Sequence, residues 1–270
     1  MSENYLNHWN IDAYISMIEK AANEICAYNP PKGESARPFS KKIPALDFNF
    51  GSCGNNYFDA PNRLLVIGRA CGNYTEKSEE IVISYDPDAE KTTFNKTNLI
   101  NSIQQELKHD FSWLGNKVQR TGKKDRLEEQ TPYFYLVKKV EQALNGDKEN
   151  EWRENIALIN IYKFIPHGGG NPSVGLVRAQ KNNTFSEILR MQMKEFAPTH
   201  ILMIVGQDNE YWYPKTYREV IEGYSKSSNV KVAIVDRPEV RKKIIRDGIT
   251  LTNLENIHKV IESEFRVKIF

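Results

Sequence analysis

The sequence predicts an α/β protein: a three-layer α/β/α sandwich around a central, mostly parallel four-stranded sheet. Three observations predict it. Four short apolar runs, rich in β-branched residues and nearly unbroken, stand along the chain: RLLVIG (63–68), NIALINIYKFIP (155–166), HILMIVG (200–206) and VKVAIVD (230–236). Runs of this kind are buried on both faces, as the strands of a helix-covered parallel sheet are. Helical patterns lie between them at lengths that suit right-handed βαβ crossovers. The chain has 270 residues, 40% of them hydrophobic, enough for one large core.

Taken in order, residues 11–27 carry Ile11, Tyr14, Ile15, Ile18, Ala22 and Ile25 at helical spacing. The following YNPPKGESARPFSKKIP breaks regular structure with four prolines. Together they read as an N-terminal helical extension, about 1–45, on a single domain spanning 1–270. GSCGNNYFD (51–59) precedes the first strand and reads either as a lip of a pocket or as a plain surface loop. The charged, poorly periodic stretch 84–129, with a Gly-Lys-Lys-Asp turn at Gly122, reads as an insertion or surface excursion. Helices are expected over 98–109, 133–145, 184–196, 214–224 and 253–265.

Composition narrows the function classes. The 37 basic and 35 acidic residues leave a formal charge of +2, so any nucleic-acid contact must come from a local basic face. Cys26, Cys53 and Cys71 fit neither a disulfide framework nor a CxxC metal clip. With no signal-peptide pattern and no run of 18 apolar residues, a soluble, cytoplasmic protein without membrane contact is expected, and a monomer. The five histidines show no HxxxH or HxH spacing, and neither GxxxxGK[ST] nor GxGxxG occurs, so no metal and no cofactor is expected. HGGG at His167 suggests an oxyanion loop, yet no GxSxG elbow accompanies it.

Open α/β sheets bind ligands beyond the carboxyl ends of their strands. Four segments stand there: GRACGNY, NIYKFIPHGGGNP, GQDNEYW and DRPEVRKK. In order, they resemble the motifs of the uracil-DNA glycosylase superfamily across 63–243, about two-thirds of the chain. That family ends its first strand in GQDPY or GEAPG, carries Asn in N-x-V-K-C-R-P-P on the second, ends the third in Gly and follows the fourth with His-Pro-Ser. Here the counterparts are Gly68-Arg69-Ala70-Cys71-Gly72, then Asn160 through Lys163 to Pro166, then Gly206, then Arg237-Pro238-Glu239. The second piece is similar to the iron-sulfur subfamily's version, but that subfamily's four cluster cysteines are absent and no cluster is expected. GQDNEYW repeats the letters of GQDPY at the wrong strand; a coincidence is inferred, with Asp208 and Tyr211 still available to line the pocket.

The resemblance implies a monofunctional DNA glycosylase acting on a flipped, modified pyrimidine, with glucosylated hydroxymethylcytosine of phage DNA as one such base and anti-phage defence as the setting. Asn160 offers a donor and an acceptor in one plane, which suits the Watson–Crick edge of a pyrimidine; as a strand residue it also suits bonds to neighbouring backbone. Ala70 replaces the family's water-orienting Asp, so Asn73 is the first candidate for that work, with Glu76, Asp208 and Glu239 behind it. Gly72 replaces the Tyr that excludes thymine's methyl group. Arg69 is read as a contact to ligand or phosphate, or as a structural ion pair. Arg237, in the place of the family's His, stabilises negative charge on the departing base. Gly68, Arg69, Ala70, Cys71, Gly72, Asn160 and Asp208 form the expected base site. Lys163, Arg241, Lys242, Lys243 and Arg246 are the expected DNA contacts, the last four reading equally as a solvated helix face. With the Asp and His both replaced, a non-catalytic protein that binds modified DNA, a nucleotide or a protein is the alternative; an enzyme of free nucleosides is a third.

Overall fold

Within the strands that build the sheet, successive side chains enter two different cores. In the computed structural model, residues 11–30, 32, 38–39, 45–69, 81–86, 88–89, 91–107, 118–121, 124–127, 131–146, 151–167, 172–205, 213–238, 243–246 and 249–269 are described, with backbone alone at 105–107, 118–121, 124–127, 243–246 and 249–251. Leu65 and Ile67 of β3 (Leu64–Gly68) join Ala157 and Ile159 of β8 (Ile156–Asn160) and Ile201 and Met203 of β10 (His200–Ile204) on one face. Their neighbours Leu64, Val66, Ile156, Leu202 and Ile204 join Ala233 and Val235 of β11 (Lys231–Val235) on the other. Period-two alternation with apolar residues on both sides requires helices on both faces.

The helices meet that requirement. The first face packs against α1 (Ile11–Cys26), α2 (Lys96–Leu107), α4 (Val174–Ala179), α5 (Asn183–Phe196) and α6 (Lys215–Ser228). The second packs against α3 (Pro132–Asn145) and α7 (Asn253–Phe265). Side-chain caps fix several starts: Asn182 accepts from the amides of Thr184 and Phe185, and Thr252 and Glu255 form a reciprocal capping box.

The main sheet runs β11-β10-β3-β8-β2, where β2 is the short edge strand Ser52–Cys53. β11, β10, β3 and β8 are mutually parallel and β2 is antiparallel to β8. Each of the four apolar runs of the sequence contains one of these four parallel strands; the antiparallel fifth was not expected. After β3 the chain crosses to β8 with α3 on one face. After β10 it crosses the opposite way to β11 with α6 on the other. β3 and β10 therefore flank the topological switch point, the crevice where open α/β sheets accept ligands.

A second, antiparallel sheet runs β5-β4-β1-β9, from β1 (Ala45–Phe48), β4 (Ile83–Asp86), β5 (Lys91–Phe94) and β9 (Phe164–Pro166). It corrects three expectations. The run 155–166 is not one strand: it leaves the main sheet after Asn160 and re-forms as β9, while Gln180 Oε1 accepts from the amides of Lys163 and Phe164 at 2.8 and 2.9 Å across the break. The stretch from 84 onward is no excursion as far as Leu107, because β4 pairs with β1 and β5 with β4, and Leu99 and Ile103 of α2 are buried in the main core. The helix of the N-terminal extension packs into the main core, with Ile18, Ala21 and Ala22 completely buried. Two hairpins complete the described residues, β6–β7 (Val118–Thr121 with Lys124–Leu127) and β12–β13 (Lys243–Arg246 with Ile249–Thr252).

Candidate functional site

Asn160 ends β8 and lies in register with Gly68, the last residue of β3. A methyl carbon at Gly68 would sit 2.6 Å from Asn160 Oδ1 and 3.4 Å from the Tyr133 hydroxyl. The glycine is therefore required by the approach of the amide, whatever its backbone angles. Tyr133 reaches this place because Thr131 caps α3, accepting from Phe134 N, with Pro132 in the first turn.

On its other side Asn160 Nδ2 donates to Asn49 Oδ1 at 3.0 Å. Asn49 continues β1 past its last residue, since its amide donates to Lys163 O at 2.7 Å. One amide N–H of Asn160 is thus occupied by protein and its plane is fixed. The half-buried position of Asn160 leaves it within reach of a ligand.

Ladder bonds extend beyond the strand ends: Ile161 N donates to Gly68 O at 2.9 Å and Tyr162 N to Arg69 O at 3.1 Å. Arg69 is therefore held on ordered backbone, half-buried at the switch point. Burial, and next the positive charge of Arg237, hold its guanidinium below the ordinary arginine value, with Tyr162 acting in the opposite sense. Arg237 is exposed two residues past β11, so two cations converge over the end of β10 from the strands on either side of it. Two cations near each other give this edge a local positive field.

The sequence-derived site is thus brought together in part. Gly68, Arg69, Asn160 and Arg237 share the carboxyl edge of the sheet. Ala70, Cys71, Gly72, Asn73, Asp208, Arg241 and Lys242 lie outside the described residues, as do Glu76 and Glu239. Lys163 is completely buried, so its ammonium does not face the surface where a phosphate contact was expected. Lys243 and Arg246 belong to a hairpin strand, not to a basic helix face, because the backbone pairs Lys243 with Thr252 and Arg246 with Ile249. Among the described residues, no group of three or more His, Cys, Asp or Glu side chains is placed to hold a metal ion, and no helix is long and apolar enough to cross a membrane.

Sequence reasoning missed Asn49 and Tyr133. The signal for Asn49 was present in ALDFNF: Leu46, Phe48 and Phe50 enter the core while Asp47 and Asn49 alternate with them. Tyr133 carried no signal of its own, since a helix-start tyrosine is ordinary. Comparison of the chain with family models, with characterised proteins and with solved structures returned no match.

Proposed function

We propose that the protein is a monofunctional DNA glycosylase of the uracil-DNA glycosylase type, hydrolysing the N-glycosidic bond of a flipped, modified pyrimidine in DNA to leave an abasic site. The observation that carries this reading is the fixed amide of Asn160 at the carboxyl edge, packed on Gly68 and braced by Asn49. A carboxamide held in a fixed plane at this edge discriminates a base edge, because a mismatched base would leave a polar group unpaired.

The arginine pair supports the same reading. When the C1′–N bond breaks, its electron pair moves onto the base, and cations fixed beforehand lower the barrier to that movement. Arg237 takes this role and Arg69 holds the base or an adjacent phosphate. An unpaired or modified base costs least to extrude from the duplex, which favours such substrates. The narrower assignment to glucosylated hydroxymethylcytosine in phage DNA rests on the sequence resemblance.

The test is a panel of oligonucleotides and phage DNAs bearing uracil, hypoxanthine, hydroxymethylcytosine and glucosylated hydroxymethylcytosine, followed by alkali to cut abasic sites. Scission at one modified base is the expected result. Binding of modified DNA without scission would select the non-catalytic alternative, and release of base from free nucleosides in preference to DNA would select the third.

A further inference from the structure

A buried carboxylate on the second sheet holds a histidine. Asp47 of β1 is 3% exposed, and its Oδ1 lies 2.8 Å from Nδ1 of His167, which follows β9 and keeps 30% of its side chain exposed. The backbone secures the pairing: Asp47 is in register with Ile165, and His167 N donates to Ala45 O at 2.9 Å. A carboxylate fixed on one ring nitrogen makes that nitrogen the N–H donor and leaves Nε2 as the proton acceptor.

Its position is equally specific. Asp47 and Asn49 are two residues apart on one extended segment, so they share a face, about 7 Å apart. Asn49 touches Asn160. The dyad therefore lies on the strand segment that Asn49 ties to the Asn160 amide, with His167, opposite Ala45 in the ladder, about 13 Å along the strand from Asn49 and on the side of β8 away from the arginine pair. Departing negative charge on the arginine side and growing positive charge on the carboxylate side match the polarity of a breaking glycosidic bond.

Resting on the glycosylase reading, we infer that His167 is the general base for the attacking water and that Asp47 is its positioning residue. In the step, the C1′–N bond breaks with its electron pair leaving on the base. The water oxygen forms the new bond to C1′, and the water proton passes to His167 Nε2. The histidine then returns that proton to the base anion or to solvent, so the enzyme ends unchanged. This assigns the work that Ala70 cannot do to a pair of which His167 lies in the second strand-end segment and Asp47 outside all four.

The experiment measures single-turnover excision by the full-length protein on the base identified from the panel. His167→Ala is expected to slow excision about 10²- to 10⁴-fold with DNA affinity unchanged, and added imidazole is expected to restore part of the rate. His167→Gln, whose amide can still donate to Asp47, is expected to be equally slow and guards against loss of fold. Asp47→Asn is expected to lower kcat without changing KM. Wild-type rates in the folded histidine variants, or a loss that imidazole does not repair, would overturn the inference and leave the glycosylase reading standing. A wild-type protein that cleaves nothing in the panel would remove both.

Discussion

Replacing Gly68 by alanine tests the packing on which the site depends. The added carbon would stand 2.6 Å from Asn160 Oδ1, against about 3.3 Å for the closest comfortable C–H···O contact, so the amide must retreat by about 0.7 Å. The retreat works against a fixed neighbour, because Nδ2 is tied to Asn49 at 3.0 Å. Misplacing a reacting or reading group by about 1 Å costs on the order of 10²-fold in rate, and overpacking costs about 1–3 kcal/mol. Gly68→Ala is therefore expected to lower kcat/KM for base excision by one to two orders of magnitude and to lower the unfolding free energy by about 1 kcal/mol. Excision kinetics and urea denaturation measure the two. An alanine variant with wild-type rate and stability would refute the argument, since the amide would then not be where the strand register puts it.

Other outcomes follow from the same geometry. Arg237→Gln is expected to slow excision by about 10²-fold while leaving DNA affinity nearly unchanged, and Arg69→Gln to weaken binding and reduce the slope of log K against log salt by about 1; titrations at several salt concentrations separate them. His200 is buried against Phe265, and burial, then the charge of Lys231, push its pKa down from 6.5 to about 4. The folded state thus favours the neutral ring, so this contribution is whole above pH 6.5, is lost as pH falls toward 4, and amounts to about 3 kcal/mol. Denaturation between those pH values should show the slope in the wild type and a shallower one in His200→Phe. Thr252→Ala removes the oxygen that accepts from Glu255 N at 3.2 Å and should cost about 1 kcal/mol, read from the denaturation midpoint.

Much of the fold was legible because single periodicities govern long segments. The helix expected over 253–265 is α7 with the same bounds, and each of the four apolar runs contains one of the four parallel strands. The second sheet was not legible, for a physical reason. Its strands are three or four residues long, and the break between β8 and β9 is stabilised by Gln180, whose side chain bonds backbone amides 16 and 17 residues away. No local pattern announces such a partner. In the site, Gly68 and Asn160 were readable from their strand ends. Asn49 left a signal in the alternation of ALDFNF, whereas Tyr133 and the pairing of Asp47 with His167 were not readable, because each is brought in by contact between segments distant in the chain.

Asn160 is the central residue, and the most direct measurement is free base released per abasic site formed, under single-turnover conditions, by the wild type and by Asn160→Ala. The glycosylase reading predicts equal amounts of base and abasic site from the wild type, and a rate at least about 10²-fold lower from a folded variant, as expected when a half-buried reading group is lost. Release of the same base at the wild-type rate by Asn160→Ala would contradict it.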